Sequence, residues 1–141
     1  MSADILKFIS KIYRKSQMYL NEQVKPMELT SGQIPFIMIT CKNGKMVQNK
    51  FCELLDMDKS TVAKMLAKLE IQGYVIRKMN QKDCRFIDVY PTQKALEIYP
   101  VLIQIGEKWS LQLTSHMTET QKALFFDMLQ NAAKNITSHF T

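Results

Sequence analysis

Four polar side chains, Ser60, Thr61, Lys64 and Lys68, are interleaved with Val62, Leu66 and Leu69, which recur at three- and four-residue spacing. On a helix that spacing gathers the apolar three on one face and leaves the hydroxyl and ammonium groups off it. Such an outer face is equipped to bind a nucleic acid. Ser60 and Thr61 suit bases or phosphates, Lys64 suits a guanine edge, and Lys68 suits the phosphate backbone. A second set, Lys78, Lys82, Asp83 and Arg85, lies in a polar stretch with Asn80 and Gln81. Alternate residues of a strand point the same way, so Asp83 is expected to hold the Arg85 guanidinium extended. Its target would be a narrow minor groove, where A·T-rich geometry concentrates negative potential.

Charge patterning agrees. Residues 42–85 carry ten Lys or Arg against five Asp or Glu, so this segment holds +5 of the chain's net +6. A localised basic excess is the electrostatic footprint of a polyanion, here double-stranded DNA, because neutralised phosphates release condensed counterions. Two alternatives remain open: a solvated lysine-rich helix face with a surface ion pair, and a protein-interaction module without specific DNA binding.

The elements that must hold these side chains can be read from pattern. A short helix with Phe51 and Leu54 on one face leads through the turn Asp56-Met57-Asp58 into the helix of Val62, Leu66 and Leu69, with Asp58 as N-cap. Gly73 stands where that helix stops. Two β-rich runs follow, Tyr74–Arg77 and Phe86–Tyr90, joined by a polar tip. Upstream, Ile5, Phe8, Ile9, Ile12 and Tyr19 mark a helix from Ala3 to about Val24. Thr30 and Gln33 have capping-box spacing before IPFIMIT, with Pro35 just past the first turn as a kink, and Gly44 as the stop. Downstream, Thr92 caps a helix over about Gln93–Leu113. It is apolar around most of its circumference from Leu96 to Ile105 and interrupted by Pro100. Thr118 and Gln121 open a last helix whose Leu124, Phe125, Met128, Leu129, Ala132 and Ile136 form a broad apolar face. A chain of 141 residues has too little core to cover both, so a homodimer through the first and last helices is expected. The fold class is mainly α: a winged helix-turn-helix with N- and C-terminal dimerisation helices and a two-stranded β-wing.

Other chemistries find little support. No phosphate loop, Gly-x-Ser-x-Gly motif or histidine with a nearby nucleophile is present, so an enzyme is not expected. No metal or cofactor is expected either, since His116 and His139 lack neighbours at ligand spacing. No apolar run approaches the roughly 20 residues of a membrane span, and the N-terminal residues lack a signal-peptide pattern. Three cysteines match no zinc spacing and point to a reduced, cytoplasmic setting. Cys41 and Cys52 read as small core residues. Cys84, between Lys82 and Arg85, leaves a redox-responsive regulator open as an alternative.

LTSGQIPF, then FCELLDMDKSTVAKMLAKLEIQGYVIRK, the wing's Asp83-Cys84-Arg85 and YPTQKALEIYP resemble the MarR family, the multiple-antibiotic-resistance regulators, over nearly the whole chain. The resemblance implies a single domain over 1–141, with a winged helix-turn-helix at 30–94 and dimerisation helices at 1–25 and 96–141. It also implies a homodimeric repressor that binds an inverted-repeat operator and is released by a small aromatic or anionic effector. Tyr13, Arg14, Phe36, Met38 and Trp109 are the expected pocket liners. Three departures stand out: Val47 where a Thr often caps the first reader helix, Pro91 for a Leu, and Ala95 for a Gly.

Overall fold

The computed structural model describes residues 2–140, so Met1 and Thr141, the ends of the expected 1–141 domain, lie outside the described residues. Six α-helices and three short strands follow in the order α1 (Ser2–Val24), α2 (Ile34–Asn43), β1 (Met46–Val47), α3 (Lys50–Leu55), α4 (Lys59–Ile71), β2 (Val75–Met79), β3 (Ile87–Pro91), α5 (Gln93–Leu113) and α6 (Glu119–Phe140). Two compact units divide within α5, between Gly106 and Glu107.

The first unit holds the core. Phe36 and Ile37 of α2, Phe51 of α3, Val62, Leu66 and Leu69 of α4, Val75 and Val89 of the sheet, and Ala95 and Leu102 of α5 are all buried. Phe36 and Phe51 stack with ring centroids 5.2 Å apart. Each fully buried aliphatic or aromatic side chain of this kind contributes about 1.5–3 kcal/mol. On α3 the buried face is not the expected pair. Phe51 is buried but Leu54 is 47% exposed, and Leu55, one full turn on, packs against the core instead. A six-residue helix beside a sheet has room for one inward stripe, and residues four apart share it.

The sheet is antiparallel, in the order β1-β3-β2. Its third strand, Met46–Val47, was not expected. Val47 pairs with Asp88 in β3, so it is a strand residue and not the cap of a reader helix. Asn49 precedes α3 without a side-chain cap. The hairpin proper pairs Val75 with Pro91 through to Met79 with Ile87.

Helix boundaries follow local chemistry. Gly44 ends α2 at φ 74° and Gly73 follows α4 at φ 86°, both in the left-handed region that only glycine enters without steric cost. The Thr30–Gln33 motif opens a separate 3-10 turn, Ser31–Gln33, and α2 begins afresh with Pro35 in its first turn. Proline is tolerated there because that N–H has no helical acceptor, so the expected kink becomes a break between two elements. The helix α5 continues through Pro100.

A run of side-chain amides ties this unit together. The backbone N–H of Thr30 donates to Gln33 Oε1 at 3.0 Å, Gln33 Nε2 to Gln72 Oε1 at 2.8 Å, and Gln72 Nε2 to the Glu28 carbonyl at 2.6 Å. The backbone N–H of Ser31 donates to Asn21 Oδ1, and the Ser31 hydroxyl to Gln17 Oε1. At the next corner the Thr92 hydroxyl donates to the Gly73 carbonyl at 2.6 Å. Among the described residues no buried side-chain polar atom lacks a partner.

In the second unit, Thr118 and Gln121 close a reciprocal capping box at the start of α6. The Thr118 N–H donates to Gln121 Oε1 at 2.9 Å, and the Gln121 N–H to Thr118 Oγ1 at 3.1 Å. The α6 side chains Leu124, Phe126, Met128, Leu129 and Ile136 are exposed, as are Ile5, Leu6, Phe8 and Ile9 on α1 of the first unit.

Candidate nucleic-acid interface

The reader helix is set by its start. Asp58, extended at φ -76° and ψ 164°, accepts from the Thr61 N–H at 2.7 Å and from the Ser60 hydroxyl at 2.9 Å. The Thr61 N–H, then the Ser60 and Thr61 hydroxyls, hold its carboxyl below the usual aspartate range. Ser60 therefore directs its hydroxyl proton into the cap. Asp56 turns the chain before the cap at φ 53°, an uncommon conformation that Asp tolerates better than most residues. Ser60, Thr61, Lys64 and Lys68 are all exposed along α4, opposite the buried Val62, Leu66 and Leu69.

A second contact sets the far end of the same helix. Glu70 accepts from the Arg77 backbone N–H at 3.0 Å and from Arg77 Nε and Nη2 at 3.3 and 3.2 Å, while Arg77 Nη1 donates to Gln48 Oε1 at 3.4 Å. The last turn of α4 is thus fastened to β2 and to the residue after β1. The sequence reading missed Glu70, Arg77 and Gln48, whose spacing carries no signal. A shallow groove of about 470 Å³ beside this contact is lined by Glu70, Arg77, Lys78, Met79, Cys84, Arg85 and Ile87.

The wing brings Asp83 and Arg85 together, by a different route from the one expected. Residues 82–86 are a turn, not a strand. Asp83 Oδ1 accepts from the Arg85 backbone N–H at 3.0 Å and from Arg85 Nε at 3.0 Å, and Oδ2 accepts from Nη2 at 2.7 Å. A short acid that bonds the backbone two residues on makes an Asx turn, and here the same carboxylate also grips the guanidinium fork. The Arg85 side chain and then its backbone N–H lower the Asp83 pKa, and Asp83 raises that of Arg85. The Arg85 side chain is 81% exposed, so the carboxylate is its main restraint. Lys78 and Lys82 are exposed. The Lys78 ammonium lies 5.8 Å from the Tyr90 ring centroid.

The expected effector residues fall in both units, Tyr13, Arg14, Phe36 and Met38 in the first and Trp109 in the second. Tyr13 and Arg14 are exposed on α1, and Arg14 Nη1 donates to Ser10 Oγ at 2.8 Å. Phe36 has no exposed surface and belongs to the core stack, which takes it out of a pocket wall. Met38 is half-buried against that core, and Trp109 is half-buried on α5 in the second unit. Cys41 and Cys52 are half-buried, burial pushing the Cys41 thiol up, while Cys84 is exposed at the wing. No group of three or more His, Cys, Asp or Glu among the described residues could hold a metal ion. No described helix is long and apolar enough to cross a membrane.

No family model matches the chain. A crystal structure of a MarR transcriptional regulator from Methanosarcina mazei Go1 superposes with a TM-score of 0.89 at 31% identity, covering 94% of this chain and 96% of that one. The chain belongs to the MarR family. A member from Listeria monocytogenes, solved in complex with a 26mer DNA, matches at TM-score 0.89 and 26% identity over 95% of this chain and 89% of its own. The HTH-type transcriptional regulator YybA of Bacillus subtilis (strain 168) is 29% identical over 133 residues, 94% of this chain and 89% of its own length. These relatives are transcription regulators.

Proposed function

We propose that this MarR-family protein is a homodimeric, sequence-specific DNA-binding transcriptional repressor that acts on an inverted-repeat operator and is released by a small aromatic or anionic effector. One observation carries the DNA-binding reading. The helix with an outward Ser60, Thr61, Lys64 and Lys68 face and the wing with a carboxylate-held Arg85 stand in the same unit, and a Glu70–Arg77 contact fixes one against the other. Helix α4 then enters the major groove and Arg85 the adjacent minor groove, with Lys78 and Lys82 on phosphates. The DNA-bound Listeria relative supports this reading.

The homodimer rests on uncovered apolar faces: Ile5, Phe8 and Ile9 on α1, and Leu124, Met128, Leu129 and Ile136 on α6. A second copy is the simplest cover for them. A two-fold pair of reader helices then favours half-sites about one helical turn apart, roughly 10 base pairs. Effector release follows by linkage, because a ligand preferring a non-DNA-binding dimer must bind the free protein better than the complex.

Selecting bound fragments from random DNA tests the proposal. Enrichment of an inverted repeat is expected, and recovery of unrelated sequences with no shared motif would overturn it.

A further inference from the structure

We infer that Asn80 is a positioning residue for DNA reading, and that with the buried carboxylate of Asp88 it sets the wing tip so that Arg85 is presented to the groove. The inference rests on the DNA-binding reading above and assigns to it residues outside the reading face.

Asp88 lies in β3, the middle strand of the sheet, and is 4% exposed. A carboxylate so placed needs donors, because an unpartnered buried charge is strongly destabilising. Asn80 meets that need, its Nδ2 lying 3.1 and 3.0 Å from the two carboxylate oxygens. Committing the amide nitrogen inward turns the amide oxygen to the tip, where it accepts from the backbone N–H of Lys82 at 2.9 Å and of Asp83 at 3.0 Å. Asp83 in turn holds Arg85 by four hydrogen bonds. The Asn80 backbone N–H also donates to the Phe86 carbonyl at 2.9 Å, closing the loop at its base.

Each partner in this chain has one possible direction. An amide offers a donor and an acceptor at opposite corners, so Asn80 alone can satisfy both the buried acid and the two tip N–H groups. Alanine satisfies neither. Aspartate keeps the acceptor for the tip but sets a second carboxylate against Asp88. Lys45 and Lys82 line the same small hollow as Asp88 and Asn80, and neither ammonium has an ion pair with Asp88.

The test measures affinity for a duplex selected by the native protein from random DNA, at fixed salt, with circular dichroism and thermal melting on every variant. Asn80→Ala is expected to weaken binding about tenfold. In an Arg85→Ala background the same change should cost almost nothing, because its effect passes through Arg85. Asn80→Asp should also weaken binding. The exchange Asn80→Asp with Asp88→Asn should restore it, since the amide then donates from the strand to a carboxylate at the tip, at unchanged net charge. Equal losses from Asn80→Ala with and without Arg85, or no rescue by a folded exchange variant, would overturn the inference. If Asn80→Ala or Asn80→Asp alone melts with the native protein yet binds as tightly, the inference also falls. Failure of the native protein to select any duplex would instead remove the DNA-binding reading itself.

Discussion

Replacing Asp83 by alanine separates two accounts of the wing by sign. Near DNA, loss of a negative charge should strengthen attraction. For a solvated charge roughly 5–8 Å from one phosphate, in a water-like dielectric and within one Debye length at physiological salt, the gain is about twofold. Against it stands the loss of four hydrogen bonds from Arg85, one from its backbone and three from its guanidinium. With the side chain 81% exposed, the guanidinium's other neighbour is the Phe86 ring, 6.0 Å to its centroid. Ordering one rotamer-rich side chain on binding weakens affinity roughly two- to twelvefold, and a loosened tip adds to that. The orienting effect therefore wins, and Asp83→Ala should bind several-fold more weakly although the protein is more basic. Arg85→Ala should bind more weakly still and lower the salt slope by about one. Fluorescence anisotropy on a selected operator, repeated across a salt series, measures both quantities. Tighter binding by a folded Asp83→Ala would refute the orienting role.

Three further outcomes follow from the same geometry. Lys64→Ala should cost about 1–3 kcal/mol and relax preference at one operator position, whereas Lys68→Ala should weaken all sequences alike; parallel selections with each variant check this. Sedimentation at micromolar concentration should give a dimer for the native chain and a smaller species for Leu124→Glu with Leu129→Glu, and a native monomer would contradict the proposed assembly. Asp58 and Asp83 both have folded pKa values below the ordinary 3.8, so the stability they contribute is fully present above 3.8 and is lost as pH falls through the lowered values. Melting curves of the native protein should thus drop more steeply below about pH 4 than those of Asp58→Asn with Asp83→Asn.

Much of this architecture was legible because its signals are local. Capping boxes at Thr30 and Thr118, the Asp58 cap, the glycine stops at Gly44 and Gly73, and the Val62/Leu66/Leu69 stripe each depend on residues within one or two turns. The two-residue strand at Met46–Val47 was not legible, because it exists only by pairing with Val89 and Asp88 some forty residues away. Leu54 and Leu55 are adjacent leucines, and only the position of the sheet decides which turns inward. The Asp83–Arg85 pair was found for a reason that does not hold, since a turn and not a strand joins them. Asn80 offered a usable clue: asparagine two and three residues before the amides of Lys82 and Asp83 is the pattern of a side chain folding back on its own loop. Its partner Asp88 gave none, because an acid between Ile87 and Val89 in a strand reads as solvent-facing until the opposite face is known to be covered.

The two glutamines at the corner of the reader helix form a one-way line. It begins at a backbone donor, Thr30 N–H, passes through Gln33 and Gln72, and ends at a backbone acceptor, the Glu28 carbonyl. Neither amide can be flipped without setting oxygen against oxygen or nitrogen against nitrogen. Glutamate at position 72 would face the Glu28 carbonyl with an acceptor, and at position 33 would face Gln72 with one, although either change alters a single atom. Sequence drift here is therefore constrained in sense as well as in size. Two positions 39 residues apart are thereby held to one amide orientation by backbone groups at either end.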